Sequence, residues 1–156
     1  MEVFVAVVVV FAVTVGLLQP WGGGDLEAGS EIYCLTSDFN NNLKIYRTYK
    51  SAGDQRVPVE SGGATFYRET VPVLTNVELD HFKLVEGDAQ VAFTDFGRKI
   101  LARVTREHRG SYLTLLRDDD LVTVWPVKEV IQLEEDELFP LPIENDREFA
   151  EQICPI

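Results

Sequence analysis

An uncharged, valine-rich run at the start of the chain, Val3 to Leu18, constrains the fold more than any other feature of the sequence. It has sixteen residues. That is slightly short for a helix that crosses a bilayer, about 20 residues, and slightly long for the apolar core of a signal peptide, about 7–15 residues. Trp21 follows, where a headgroup-level anchor would lie. We predict an N-terminal apolar helix that makes residues 1–19 a signal peptide or membrane anchor, with a buried strand or helix as the alternative.

A glycine-rich stretch, residues 20–30 (PWGGGDLEAGS), has the composition of a flexible spacer. The folded part is therefore predicted to be a single domain over 31–156. The apolar run predicts that this domain lies outside the cytoplasm. It would be held at the cytoplasmic membrane by a single span, facing the periplasm, or secreted to the periplasm if the signal is cleaved.

The net charge of the chain limits the kinds of partner that the domain can bind. The 156 residues include 26 Asp and Glu against 14 Lys and Arg, a net charge of −12, and 46% of them are hydrophobic. Such a hydrophobic content supports a packed core. The acidic surplus argues against nucleic acid as a partner, because phosphates require a basic surface.

Residue periodicity in the domain predicts an α+β fold, in which a small antiparallel sheet has two helices packed on one face. Residues 51–63 are predicted to be a polar loop, and residues 76–88 a segment that opens with a helical turn. Alternation and turn residues predict strands at 31–37, 43–50, 64–71 and 89–95, a hairpin at 111–127, and a proline-marked edge strand at 137–144.

Two helices follow from apolar spacing and capping residues. The first begins near Phe96, has Thr94 or Asp95 as its cap, and stops at Gly110. The second lies within residues 145–154, is capped by Asn145 or Asp146, and is predicted to bury Phe149, Ala150 and Ile153.

Five basic residues concentrate on the first helix of this otherwise acidic chain. On a helical projection they occupy one arc, opposite an apolar face predicted to contain Phe96, Ile100, Leu101 and Val104. The arc is either a solvated face or a contact surface for an acidic or extended partner. The candidate partner-binding residues are Arg98, Lys99, Arg103, Arg106 and Arg109.

The two cysteines, Cys34 and Cys154, lie near the two ends of the predicted domain. In an oxidising compartment the pair would tie the first strand to the C-terminal helix, a cross-link that stabilises by roughly 4–5 kcal/mol in the chain-entropy model. Two unrelated thiols are the alternative. Neither cysteine has a neighbouring ligand residue, so we predict no metal site.

The sequence shows no catalytic constellation. It lacks a glycine-rich phosphate loop, a G-x-S-x-G motif and an H-E-x-x-H motif. His81 and His108 are predicted to be surface or helix-end residues. Asp118 and Asp120 could hold a divalent cation, although a hairpin tip of carboxylates is more typical of a solvated turn. We therefore predict no catalytic residue, no cofactor and no enzymatic activity.

A resemblance to a known family lies over 71–80 and 89–131. A strand precedes Phe96-Gly97, and a helix then carries Val104 and Thr105 before Gly110. An apolar strand, an Asp-bearing turn and a strand ending before Pro126 complete the order. This pattern resembles the head subdomain of the first periplasmic domain of SecD, a protein-translocation accessory. His108 and Trp125 depart from the pattern, and we expect no span after Leu18, which excludes a complete SecD activity.

The resemblance implies a stand-alone, non-enzymatic binding domain that is accessory to protein translocation across the cytoplasmic membrane. Its partner would be the translocation machinery or an exported polypeptide. The alternative is an anchored, acidic envelope inhibitor or immunity-type protein that neutralises a basic partner. The acidic C-terminal third of the chain supports that alternative.

Overall fold

Strands account for 42% of the residues that the structure describes, and helices for 22%. The structure is a computed structural model and describes residues 31–155. The two α-helices of this part are α1 (Asp95–Glu107) and α2 (Asp146–Ile153), and 3-10 turns cover Thr36–Asp38 and Asn76–Glu78. The strands are β1 (Ile32–Leu35), β2 (Leu43–Tyr49), β3 (Arg56–Ser61), β4 (Ala64–Glu69), β5 (Leu74–Thr75), β6 (Leu79–Val85), β7 (Asp88–Phe93), β8 (Tyr112–Arg117), β9 (Asp120–Pro126) and β10 (Phe139–Pro140).

The strands form two antiparallel sheets. Sheet 1 has the order β1-β6-β7-β10. Sheet 2 has the order β3-β4-β2-β8-β9, and the short β5 pairs with β2 next to β4. The 3-10 turn Asn76–Glu78 carries the chain from β5 in sheet 2 to β6 in sheet 1.

Sheet 2 curls on itself, because its two edge strands, β3 and β9, come into contact. Its central strands are consequently buried on both faces. Ile45 and Leu115 point into the core. On the other face, Thr48 and Thr114 are fully buried, and their hydroxyl oxygens lie 2.6 Å apart. Each hydroxyl therefore satisfies the other in a place that water does not reach.

The core lies between the sheets and the helices. Phe82 of β6 contacts Phe149 of α2, with ring centroids 5.8 Å apart. From α1, Leu101 and Val104 enter the same cluster at 1% exposure each. Each such side chain contributes about 1.5–3 kcal/mol by burial.

The predicted fold class was wrong. The described residues are mostly β, with two curled antiparallel sheets in place of one small sheet. Two segments account for the difference, since residues 51–63 contain β3 and residues 76–88 contain β6. In β6 a register shift between Leu79 and His81 interrupts the alternation that would have marked a strand. The predicted apolar helix and the spacer lie outside the described residues.

The helix caps agree with the predictions. The Thr94 hydroxyl accepts a hydrogen bond from the Gly97 N–H at 3.0 Å, and the Asn145 side chain accepts one from the Glu148 N–H at 3.2 Å. Phe149, Ala150 and Ile153 are buried as predicted. Within residues 31–155, no helix is long and apolar enough to cross a membrane.

The predicted disulfide between Cys34 and Cys154 is present, with the two Cα atoms 5.6 Å apart. Both cysteines are buried. Because Cys34 lies within β1 and Cys154 follows α2, the bond connects an edge strand of sheet 1 to the C-terminal helix.

Candidate binding surface

The N-terminal end of α1 packs against the 3-10 turn that precedes β6. The backbone N–H and the hydroxyl of Thr94 both donate to the carbonyl oxygen of Glu78, at 2.9 and 3.2 Å. At Gly97 the turn comes so close that a Cβ atom would lie 2.3 Å from the same oxygen. Glycine is therefore required at this position of the helix.

This contact leaves two apolar side chains in solvent. Phe96, which was predicted to lie in the core, is 65% exposed, and Val77 of the adjoining turn is 80% exposed. The prediction for Phe96 was wrong because the turn approaches the helix at Gly97, one residue further along. Ile100, Leu101 and Val104 are buried as predicted.

Four of the five predicted binding residues form an exposed surface, which we call the basic stripe: Lys99, Arg103, Arg106 and Arg109. Lys99, Arg103 and Arg106 follow Phe96 at three, seven and ten residues, so these positions share one side of α1. Arg109 lies just beyond the end of the helix. Among residues 31–155, no carboxylate lies within 4.0 Å of a nitrogen of the stripe.

Arg98, the fifth predicted residue, is engaged within the domain. Its side chain is only 17% exposed and forms an ion pair with Asp95. It also donates a hydrogen bond to the carbonyl oxygen of Phe93 at 3.0 Å. Arg98 therefore stabilises the start of α1 and is not part of the stripe.

The acidic residue nearest the end of α1 does not neutralise the stripe. Glu107 accepts a hydrogen bond from Arg47 of β2 at 3.2 Å. The stripe consequently keeps its positive charge in a chain whose net charge is strongly negative, which gives the surface of the domain two zones of opposite sign.

The Asp-rich hairpin tip has a structural role. Asp118 accepts hydrogen bonds from the Asn42 N–H at 3.0 Å and the Asn41 side chain at 2.6 Å, and these bonds lower the pKa of its carboxyl group. Asp120 pairs with Arg117 at 3.7 Å. The part of the chain that the structure describes contains no group of three or more metal-ligating side chains placed to hold an ion.

The two histidines are held by structural contacts. The Nε2 atom of buried His108 lies 3.1 Å from the carbonyl oxygen of Thr48, and its ring meets Tyr49 edge-on at 4.9 Å. His81 lies beside Asp80, with 2.7 Å between Nδ1 and the carboxylate oxygen.

A surface cleft of about 510 Å³ is lined by residues outside α1. It opens between the β3–β4 turn, β9 and α2, and its rim carries Glu60, Glu144 and Glu148. Arg117 also lines this cleft, so its three carboxylates face one guanidinium and its charge is predominantly negative. Two of the three glutamates, Glu144 and Glu148, belong to the acidic C-terminal third, whereas Glu60 comes from β3, a contribution that the sequence does not indicate.

The predicted proline-marked strand lies at an edge of sheet 1, as expected, but it is shorter than predicted. The proline-marked segment forms only the two-residue β10, which pairs with β7 at Phe139 and Pro140. The opposite edge is β1, whose outward side chains Tyr33 and Leu35 are 56% and 46% exposed. Sequence alternation had identified this strand, but nothing in the sequence showed that it lies at an edge.

Comparison with protein families, with curated proteins and with solved structures gives no match to the chain. The resemblance to the SecD head therefore stays a prediction.

Proposed function

We propose that the domain is a non-enzymatic binding module that engages a protein partner through the basic stripe. The observation that carries the proposal is the exposure of four cationic side chains, with no ion pair to any of them in the described part of an acidic chain. Asp95 and Glu107 stand four residues from Lys99 and Arg103, but they pair with Arg98 and Arg47 instead, so the stripe keeps an excess of positive charge. A field of one sign steers a partner of opposite sign.

The setting that we propose is the periplasmic side of the cytoplasmic membrane, beside the translocation machinery or exported polypeptides. The likeness to the SecD head supports this setting, as does the apolar run that precedes the domain. The Cys34–Cys154 disulfide supports it independently, because such bonds persist in oxidising compartments and are rare in the cytoplasm.

The test reverses three charges of the stripe, as Lys99→Glu, Arg103→Glu and Arg106→Glu in one full-length variant. We expect the variant to lose the partners that the wild type captures from solubilised membranes, as identified by mass spectrometry. Its thermal midpoint should stay nearly unchanged, because exposed substitutions of this kind change stability by about half a kcal/mol or less each. Raising the salt concentration should also reduce the capture of partners by the wild type, because salt screens the charges of the stripe.

A control with the same change of charge reverses three exposed cations outside the stripe, Lys50, Lys128 and Arg147, of which Arg147 pairs with Glu151. It changes the net charge by the same amount and leaves the stripe intact. We expect it to capture partners as the wild type does. Equal capture by the stripe variant and the wild type at low salt would show that the stripe is only a solvated face.

A second candidate function is the neutralisation of a basic partner by the acidic cleft, as in an inhibitor or immunity-type protein. The three glutamates on the rim of that cleft favour it. The variant Glu60→Gln, Glu144→Gln, Glu148→Gln separates the two functions. Loss of partners with this variant, and not with the stripe variant, would replace the first proposal by the second.

A further inference from the structure

We infer that the open edge of β1 accepts an extended segment of a partner polypeptide as an additional strand of sheet 1. Within residues 31–155, β1 is paired only with β6, so its other side is free. Every second N–H and C=O group of an edge strand points away from its neighbour. The matching row of donors and acceptors belongs to another extended backbone, so the edge itself defines the class of ligand.

The other end strands of the two sheets, β10, β3 and β9, are very short, contain proline or contact one another. β10 is two residues long, contains Pro140 and is followed by Pro142, and neither proline offers an N–H. β3 contains Pro58, and the curl of sheet 2 brings it against β9. β1, in contrast, is the uncharged sequence Ile-Tyr-Cys-Leu, without proline, and its register with β6 is continuous over four residues. Charges, prolines and bulges protect many sheet edges, and β1, although only four residues long, has none of these three.

β1 itself presents two apolar side chains on its outward face, next to Lys83 and His81 of β6. Tyr33 and Leu35 are two of the five large hydrophobic side chains that are exposed in the described part of the chain. The ring of Tyr33 rests against His81, with centroids 5.1 Å apart. A strand added next to β1 would place its own side chains about 4.5–5.5 Å from these two, close enough for cross-strand packing.

The edge is also fixed in place before any ligand arrives. Cys34, within β1, is bonded to Cys154 at the end of α2 in the interior of the domain. The strand therefore cannot separate from the body of the protein while the bond is intact. A rigid edge loses less conformational entropy on binding than a strand that has to form first.

The position of β1 relative to α1 indicates which side chains the bound segment should carry beyond the part that pairs with β1. Leu35 lies opposite His81, two residues from the start of β6 at Leu79. The 3-10 turn that leads into Leu79 is the same turn that packs against the start of α1. A segment paired with β1 and continuing past Leu35 therefore runs toward the end of sheet 1 where Phe96 and the stripe begin.

We therefore assign the ligand as a segment with alternating apolar side chains where it pairs with β1 and carboxylates in the part that continues toward α1. The acidic flank rests on the function proposed above, whereas the pairing with β1 does not. A second copy of the chain fits less well. Each copy carries a net charge of −12, and two four-residue strands bury far less than the roughly 800 Å² per partner of a stable interface.

The test selects a random peptide library against the full-length protein and then measures binding and hydrogen exchange with the enriched peptides. We expect enriched sequences to combine apolar alternation with an acidic flank and to slow amide exchange in residues 32–35. The variant Tyr33→Lys, Leu35→Lys places charges at the edge and should weaken binding about tenfold or more. Val71→Lys, at a residue 70% exposed outside sheet 1, is the matched control and should bind as the wild type does.

The outcomes separate this inference from the proposed function. Acidic peptides that leave exchange in β1 unchanged, and that bind the edge variant as tightly as the wild type, would overturn the inference and leave the stripe standing. No enrichment at all would overturn the inference and leave the proposed function to the capture experiment. Dimers seen by light scattering and abolished by the edge variant would show that a second copy occupies the edge, which also overturns the inference. Should the double variant fail to fold, Leu35→Ser and exchange in the wild type decide the question.

Discussion

Gly97 of α1 and Glu78 of the preceding 3-10 turn are in backbone contact, at a distance that a side chain on residue 97 would not permit. Within a helix, Gly→Ala ordinarily stabilises by about 0.8–1.0 kcal/mol. Here we expect the opposite sign, with Gly97→Ala lowering the free energy of unfolding by roughly 1–3 kcal/mol, because the added methyl group has to displace the turn. Denaturant unfolding of the wild type and the variant measures this difference in free energy. A gain in stability would contradict the contact between helix and turn.

The two faces of α1 should respond differently to truncation. Leu101 is buried in the core, so Leu101→Ala is expected to cost roughly 2–5 kcal/mol. Arg103→Ala, on the exposed stripe, should change stability by no more than about half a kcal/mol. Chemical denaturation of both variants checks the orientation of the helix, and similar losses at the two positions would mean that it is rotated.

The disulfide should be complete in protein isolated from its native compartment. Alkylation of the denatured, unreduced protein is expected to label neither Cys34 nor Cys154. The double variant Cys34→Ser, Cys154→Ser opens a loop of sequence separation 120 and should lose up to about 5 kcal/mol of stability in the chain-entropy model. Full alkylation of both residues would remove the cross-link from the native protein.

Because of Tyr49, the free energy of unfolding should depend on pH in the alkaline range. Burial, followed by the 2.5 Å hydrogen bond from its hydroxyl to Glu69, raises the pKa of this phenol above the ordinary value of 10.0. The folded state thus favours the neutral phenol. Its contribution to stability is complete below the ordinary pKa and is lost as pH rises through the raised one.

The variant Tyr49→Phe tests this dependence. It should be less stable near neutral pH, by about 1 kcal/mol for the lost hydrogen bond. Its free energy of unfolding should also fall less steeply at alkaline pH than that of the wild type. Ultraviolet titration of tyrosinate should show that the variant has lost a late-ionising component. The same alkaline slope in both proteins would contradict the assignment.

The proposed location can be tested by a reporter fused after Ile156. A reporter that is active only outside the cytoplasm should be active in this fusion, because the apolar run Val3–Leu18 would export the domain. A reporter that is active only in the cytoplasm should be silent at the same position. The reverse pattern would contradict an extracytoplasmic domain.

Features set by neighbouring residues could be predicted from the sequence. The caps at Thr94 and Asn145, the β8–β9 hairpin and the inward face of α2 all depend on chemistry within a few residues. β6 was missed because its register shift breaks the alternation, and β3 because Pro58 and the polar residues around it resemble a loop. The predicted balance of strand and helix was therefore wrong, and so was the predicted fold class.

The candidate surfaces depend on contacts between distant segments. Helical spacing identified the basic arc, but it could not show that Arg98 turns back to Asp95 and Phe93. Likewise, Phe96 has the spacing of a core residue, and only the approach of Glu78 to Gly97 leaves it in solvent. The edge position of β1 is set by strand order, which residue alternation does not encode.

The bond between Cys34 and Cys154 also determines how the domain carries a mechanical load. Tension that enters the chain before Cys34 and leaves it after Cys154 passes across the two sulfur atoms. α1 and all strands except the first two residues of β1, Ile32 and Tyr33, lie in the loop between these cysteines and bear none of that tension. A partner that pulls on the ends of the domain would therefore load only the start of β1 and leave the stripe in place, whereas a force applied inside the loop would act on the hydrogen bonds of the sheets.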